Sequence, residues 1–83
     1  MATSGKWQGW VHVKWKPGAP ETAWKNWSKS KEVKGVWTTQ GNWDCSVWLD
    51  VKTPDQLEDF VWKHVRANKW VEDTESYWAK SLF

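Results

Sequence analysis

Isoleucine is missing from this chain, leucine occurs three times and cysteine once, as Cys45. No apolar run approaches the roughly 20 residues of a membrane span. A membrane partner is therefore not expected. A single cysteine excludes an internal disulfide and suits a reducing compartment, so a cytoplasmic setting is expected. A dominant charge is also missing: 12 Lys and Arg stand against 10 Asp and Glu, and Arg66 is the one arginine. A net charge of +2 makes no strong field, so direct nucleic-acid binding is not expected. Histidine occurs twice, as His12 and His64, and neither has a second His, Cys or carboxylate at metal-ligand spacing. No metal or other cofactor is expected. Residues 1–6, M-A-T-S-G-K, lack the apolar segment of a secretory signal and read as a flexible lead-in to one domain spanning 7–83.

Tryptophan is present in excess. Eleven Trp accompany two Phe and one Tyr, although leucine is normally the commonest apolar residue. The Trp spacing is irregular, so no low-complexity repeat accounts for it. Tryptophan stands where aliphatic residues or tyrosine normally sit, the pattern expected of an engineered or de novo tryptophan-enriched scaffold.

The stretch from Val36 to Asp50 organises the rest. Cys45, Val47, Leu49 and Val51 alternate with Asp44, Ser46, Trp48 and Asp50, the period of a half-buried strand. The preceding residues, from Gly35 to Thr39, are rich in β-branched and aromatic types and read as its partner. Gly41 and Asn42 can supply the positive φ of a tight hairpin. A two-residue loop there places Thr38 opposite Cys45, Val36 opposite Val47 and Trp37 opposite Ser46. One face is then aliphatic. The other carries Trp37 and Trp48 within diagonal reach.

Around this hairpin, Trp7 to Lys16 reads as a first strand, closed by Pro17 and Gly18. Pro20 to about Ser30 reads as a helix whose apolar stripe is Ala23, Trp24 and Trp27. The second strand covers Val33–Gln40 and the third Trp43–Val51. Thr53, Pro54 and Gln56 have the spacing of a helix start with a capping box. Leu57, Phe60, Val61, His64 and Val65 then fall on one helical face, ending near Asn68, which tolerates the left-handed conformation. Val71–Phe83 reads as a fourth strand, with Leu82 and Phe83 on opposite parities. The order β-α-β-β-α-β predicts an α+β, ferredoxin-like fold: a four-stranded antiparallel sheet with two helices on one face. Trp10, His12, Trp37 and Trp48 are left on the uncovered face. That face is too apolar to stay wet, so all four are expected at an interface. Trp15, Trp24 and Trp27 are expected in the core, with Trp62 and Trp70 peripheral.

With that layout, V-H-V-K-W-K-P-G from Val11 to Gly18, E-V-K-G-V-W from Glu32 to Trp37, G-N-W-D from Gly41 to Asp44 and V-E-D-T-E-S from Val71 to Ser76 resemble the effector-binding (RAM) domain of the Lrp/AsnC regulators. The resemblance runs from Trp7 to Phe83. Its specificity lies in the order and spacing of the pieces. Trp43 replaces the usual Tyr or Phe of the turn, Ser76 stands where Thr is common, and the usual glycine before Val71 is missing. No helix-turn-helix accompanies it, so the chain is similar to a stand-alone domain and DNA binding does not carry over. The resemblance implies a homodimer with sheets face to face, a dimeric α+β barrel, and often a ring of dimers. It also implies a small effector, commonly an amino acid, held near the hairpin turn at subunit interfaces.

Candidate ligand-binding residues are Thr38, Gly41, Asn42, Asp44, Thr74 and Ser76. A glycine lets backbone N–H groups approach a carboxylate, and Asp44 can accept from an ammonium. The bland alternatives are an ordinary turn with a solvated Asp and plain strand polarity. His64 is expected as a satisfied residue on the inner helix face. His12, on the tryptophan face, is the better placed for chemistry. The tryptophans could form a stacking platform for single strands, but such platforms come with an electropositive groove. The leading expectation is a non-enzymatic binding and oligomerisation module with no catalytic residues. The alternative is a small dimeric α+β barrel monooxygenase, cofactor-free or haem-degrading, using Trp62 and His64.

Overall fold

A computed structural model describes residues 7–80. The expectations for the lead-in 1–6 and for Leu82 and Phe83 lie outside these residues. The strands are β1 (Trp7–Trp15), β2 (Val33–Thr38), β3 (Cys45–Val51) and β4 (Val71–Lys80), in the order β2-β3-β1-β4 with every pairing antiparallel. The helices are α1 (Thr22–Lys25), continued as a 3-10 turn over Asn26–Lys29, and α2 (Pro54–Phe60), continued as a π-helix over Val61–Arg66. This is the ferredoxin-like α+β fold that the element order predicts.

Register follows the hydrophobic alternation, because a slip of one residue would turn every side chain to the other face. Val36 pairs with Val47, Trp37 with Ser46 and Thr38 with Cys45, as a two-residue loop requires. Ladder pairing stops at Thr38 and Cys45, short of Gln40 and Trp43, and the Thr39 N–H still reaches the Asp44 carbonyl at 3.1 Å. Of the two turn residues Gly41 takes positive φ, +98°, and Asn42 does not.

The helix-facing side of the sheet carries Val11, Val13, Cys45, Val47, Leu49 and Val51, all buried under Leu57, Phe60, Val61, Val65 and Trp27. Burying each of these aliphatic side chains contributes about 1.5–3 kcal/mol. Leu57 packs so closely on β1 that a Cβ added at Gly9 would lie 2.6 Å from its Cδ1.

Both helices differ from expectation. The first yields one α-turn and a 3-10 turn, not a helix from Pro20 to Ser30. Its Ser28 competes for the backbone, with Oγ donating to the Lys25 carbonyl at 2.8 Å. With so short a cover, only Trp27 is fully buried. Trp15 and Trp24, expected in the core, are half-buried against its edge. In the second helix the capping box is not formed: Thr53 makes no side-chain cap, and Gln56 Oε1 accepts instead from the Lys52 N–H at 2.7 Å. The wider π winding brings residues four apart closer into line than the 3.6-residue α-turn does. Leu57, Val61 and Val65 therefore share the inner face. His64 is rotated outward, exposed, with its ring against Phe60 at 5.0 Å, not on the inner face as expected. Asn68 does not take the left-handed conformation. Its amide instead donates to the Ala23 carbonyl at 2.6 Å and accepts from the Trp70 N–H at 2.9 Å, tying the two helical segments together.

Candidate functional site

Strand parity sends Trp10, His12, Trp37 and Trp48 to the face that no helix covers. Trp10 and Trp48 are direct cross-strand partners, and their rings stack 5.9 Å apart at 9°. Trp37 lies 5.9 Å from Trp10 and 6.3 Å from Trp48. It covers Gly35 so tightly that a Cβ there would come within 2.4 Å of its ring. The glycine thus makes room for the indole. Trp37 remains 46% exposed, so the cluster presents an aromatic plate to its surroundings. Trp48 Nε1 is buried beneath it with no hydrogen-bond partner among the described residues.

His12 continues the plate. Its Nδ1 is 2.7 Å from Ser46 Oγ and its Nε2 is 3.3 Å from the Tyr77 hydroxyl. The Trp43 ring stacks on it at 6.1 Å. Strand alternation gave no sign that Trp43 and Tyr77 would join this face. Trp43 lies beyond the ladder, and the parity of β4 is ambiguous until a bulge where Lys14 pairs with Asp73 and Trp15 with Val71 fixes it.

The six candidate ligand-binding residues do not converge within one chain. Thr38 and Asp44 line the same cavity of about 530 Å³, between the end of β2, the start of β3 and the β1–α1 connection. Gly41 and Asn42 form the exposed hairpin tip and are not among its lining. Thr74 and Ser76 lie on β4, with β1 and β3 between them and β2. Thr74 Oγ1 donates to the His12 carbonyl at 3.0 Å, bracing the sheet.

Asp44 has a structural task that its turn position did not reveal. Its N–H donates to the Val13 carbonyl at 2.9 Å, and its Oδ2 accepts from the Trp15 N–H at 3.0 Å. The carboxylate takes over where β3 stops pairing with β1, which satisfies an otherwise orphaned donor. Beside it, burial and then the Asp44 charge push the Cys45 thiol up from 9.0 to about 11. Cys45 is thus a neutral part of the wall. Lys16, Trp15 and Trp24 are also among the residues that line the cavity. They went unnoticed in the sequence because the fold-back of Pro17–Ala19 brings them to the hairpin.

Trp62 and His64 do not form a joint site. Trp62 is 63% exposed with the Arg66 guanidinium 5.1 Å from its ring, whereas His64 meets Phe60. Among the described residues no group of three or more His, Cys, Asp or Glu could hold a metal ion, and no helix is long and apolar enough to cross a membrane.

No protein-family model and no curated protein matches the sequence. Solved structures do match. A protein from Thermus thermophilus superposes with a TM-score of 0.82 at 18% identity, over 93% of this chain and 96% of its own. An AsnC family transcriptional regulator from Agrobacterium tumefaciens gives 0.80 at 17%, over 95% of this chain and 54% of its own. A transcriptional regulator from Neisseria meningitidis, in complex with L-Met, gives 0.73 at 16%, over 93% and 51%. The chain spans about half the length of these two regulators. At such identities the likeness is one of fold, and the fold of this chain is the one found in Lrp/AsnC regulators and in the smaller Thermus thermophilus protein.

Proposed function

We propose that the protein is a non-enzymatic assembly and binding module: a homodimer closed through the tryptophan face, with a small amino-acid effector held at the Asp44 end of the hairpin. The observation that carries this reading is the aromatic plate of Trp10, Trp37 and Trp48 on the sheet face opposite the helices. Large exposed apolar patches mark interaction surfaces. Aromatic rings bury about 150–250 Å² each. Trp37 and Tyr77 are each nearly half exposed and Trp10, His12, Trp43 and Trp48 less so, so the plate supplies the apolar centre of an interface whose polar rim comes from the residues around it. A second copy fits best, because a sheet face closing on itself about a two-fold axis is self-complementary by symmetry. The fold likeness to a regulator complexed with L-Met supports an amino acid as the effector.

Light scattering at micromolar concentration tests the assembly, with a mass at or above twice 9.8 kDa expected. A compact monomer would remove the basis for the reading. Titration calorimetry with the standard amino acids tests the effector.

A further inference from the structure

The two strands that bound the sheet differ at their free edges. β2 is six residues long, and its ladder with β3 shifts between Val33 and Gly35. Short, bulged edges discourage further pairing. β4 runs for ten residues without proline or glycine, and its ladder with β1 keeps one register from Asp73 to Lys80.

Parity decides which backbone groups of β4 are free. In an antiparallel ladder each residue turns its N–H and C=O to one side, and the next residue turns them to the other. The Trp15 N–H points to β3, where it meets the Asp44 carboxylate, and the Lys16 N–H points to β4, where it meets the Trp70 carbonyl at 2.8 Å. Even-numbered residues of β1 therefore bond to β4. Through the pairs Trp10 with Tyr77 and His12 with Glu75, the odd-numbered residues of β4 bond back. Thr74, Ser76, Trp78 and Lys80 are left with their N–H and C=O turned away from the sheet. Asp73 Oδ1 covers the Thr74 N–H at 2.8 Å. The N–H groups of Ser76 and Trp78 have no acceptor among the described residues.

We infer that β4 pairs edge to edge with β4 of a second copy, antiparallel about a two-fold axis at Ser76, so that one sheet runs through both copies. Ser76 then faces Ser76, Thr74 faces Trp78 and Glu75 stands beside Tyr77. Lys80 of each copy reaches the acidic start of the other strand, Glu72 and Asp73. None of these three is held in an ion pair among the described residues; Lys80 has only the Trp7 ring, 5.3 Å away. β4 is acidic at its start and basic at its end, so its charge order complements the same strand reversed. Sliding by two residues is the smallest step that keeps the free groups paired. One way it sets Glu75 against Glu75, and like charges directly opposite are destabilising. The other way it moves Lys80 from the acids to Thr74. The pairing uses the edge of the sheet, not its face, and does not rest on the dimer proposed above.

Ser76→Pro on the full chain tests this. The proline removes an N–H that points out of the sheet, which an edge strand tolerates, so the fold should persist with the edge blocked. Light scattering over a concentration series should give a mass twofold below that of the parent. Hydrogen exchange should find the Trp78 amide protected in the parent and open in the variant, with the Tyr77 amide, turned to β1, protected in both. Lys80→Glu should raise the concentration needed for association roughly fivefold, as two exposed pairs turn repulsive, and adding Glu72→Lys should restore it. Glu72 and Lys80 are exposed, so these variants stay informative if circular dichroism shows that Ser76→Pro does not fold. A folded Ser76→Pro with the mass of the parent would overturn the inference and leave the dimer through the tryptophan face standing. Association that Ser76→Pro removes but the charge variants do not move would also overturn it, since another strand would then occupy this edge. A parent that stays monomeric would overturn both.

Discussion

One substitution made on opposite faces of the sheet tests the packing directly. At Gly9 an added methyl would sit 2.6 Å from Leu57 Cδ1 and 3.1 Å from Cδ2. Leu57 is 1% exposed and is enclosed by Phe60, Val61 and the sheet, so its methyls have nowhere to go. Gly9→Ala should force α2 away from β1 at an overpacking cost of about 1–3 kcal/mol, of which about 0.5–1 kcal/mol is offset by the chain entropy that either alanine recovers. At Gly35 an added methyl would be closer still, 2.4 Å from the Trp37 ring. Trp37 is 46% exposed, so that ring can swing into solvent. Gly35→Ala loses stacking worth about 0.5–1.5 kcal/mol and gains back about 0.5–1 kcal/mol of chain entropy. The net change should be close to zero. In a domain of this size, about 1 kcal/mol moves Tm by roughly 4–8 °C. Gly9→Ala should therefore melt below the parent at every protein concentration, whereas Gly35→Ala should melt below it only through weaker self-association, by an amount that changes with protein concentration. The second variant should instead weaken self-association, since it disrupts the aromatic plate. Scanning calorimetry and light scattering on both variants decide the matter. Equal melting points at every protein concentration would refute the assignment of Gly9 to the packed face and Gly35 to the open one.

Trp48→Val should keep the fold, because valine suits a strand and the change also removes a buried, unpartnered indole N–H; loss of folding by circular dichroism would contradict this. Asp44→Ala should leave the Trp15 N–H to water and cost about 0.5–1.5 kcal/mol, and it should weaken amino-acid binding by more than about 1 kcal/mol. Denaturant melts and calorimetry measure the two effects separately. Cys45, pushed up to about 11, should resist thiol-labelling reagents at pH 8 and react only after denaturation. The sign of its pH effect follows: the folded state holds the thiol proton more tightly, so this contribution to stability is full below pH 9 and fades as pH rises through 11. Trp27→Phe should cost about 0.5–1.5 kcal/mol for the lost hydrogen bond to the His64 carbonyl, beyond any change in packing, by urea melts.

Strand identity, the hairpin register and the segregation of aliphatic from tryptophan faces were legible in the sequence. A strand alternates with a period of two, and one buried face locks its register. The alternation from Cys45 to Val51 was enough to place Val36, Trp37 and Thr38 opposite their partners. Helix detail was less legible, because propensity is a weak guide where tertiary contacts compete. Asn68 and Gln56 each bond to groups other than those local rules favour. The π winding that turns His64 outward has no mark in the spacing of apolar residues, which fits an α-helix equally well.

The candidate site divides in the same way. Local sequence put Gly41, Asn42 and Asp44 together at one turn, since a hairpin brings only its own neighbours close. Strand order alone decided that Thr74 and Ser76 stand across β1 and β3 from Thr38. The meeting of Lys16, Trp15 and Trp24 with Asp44, and of His12 with Trp43 and Tyr77, joins residues far apart in the chain. Periodicity reports which face a residue occupies, but not which distant residue occupies the same place on that face. That is settled only when the chain crosses the sheet and the bulge in β4 fixes its parity.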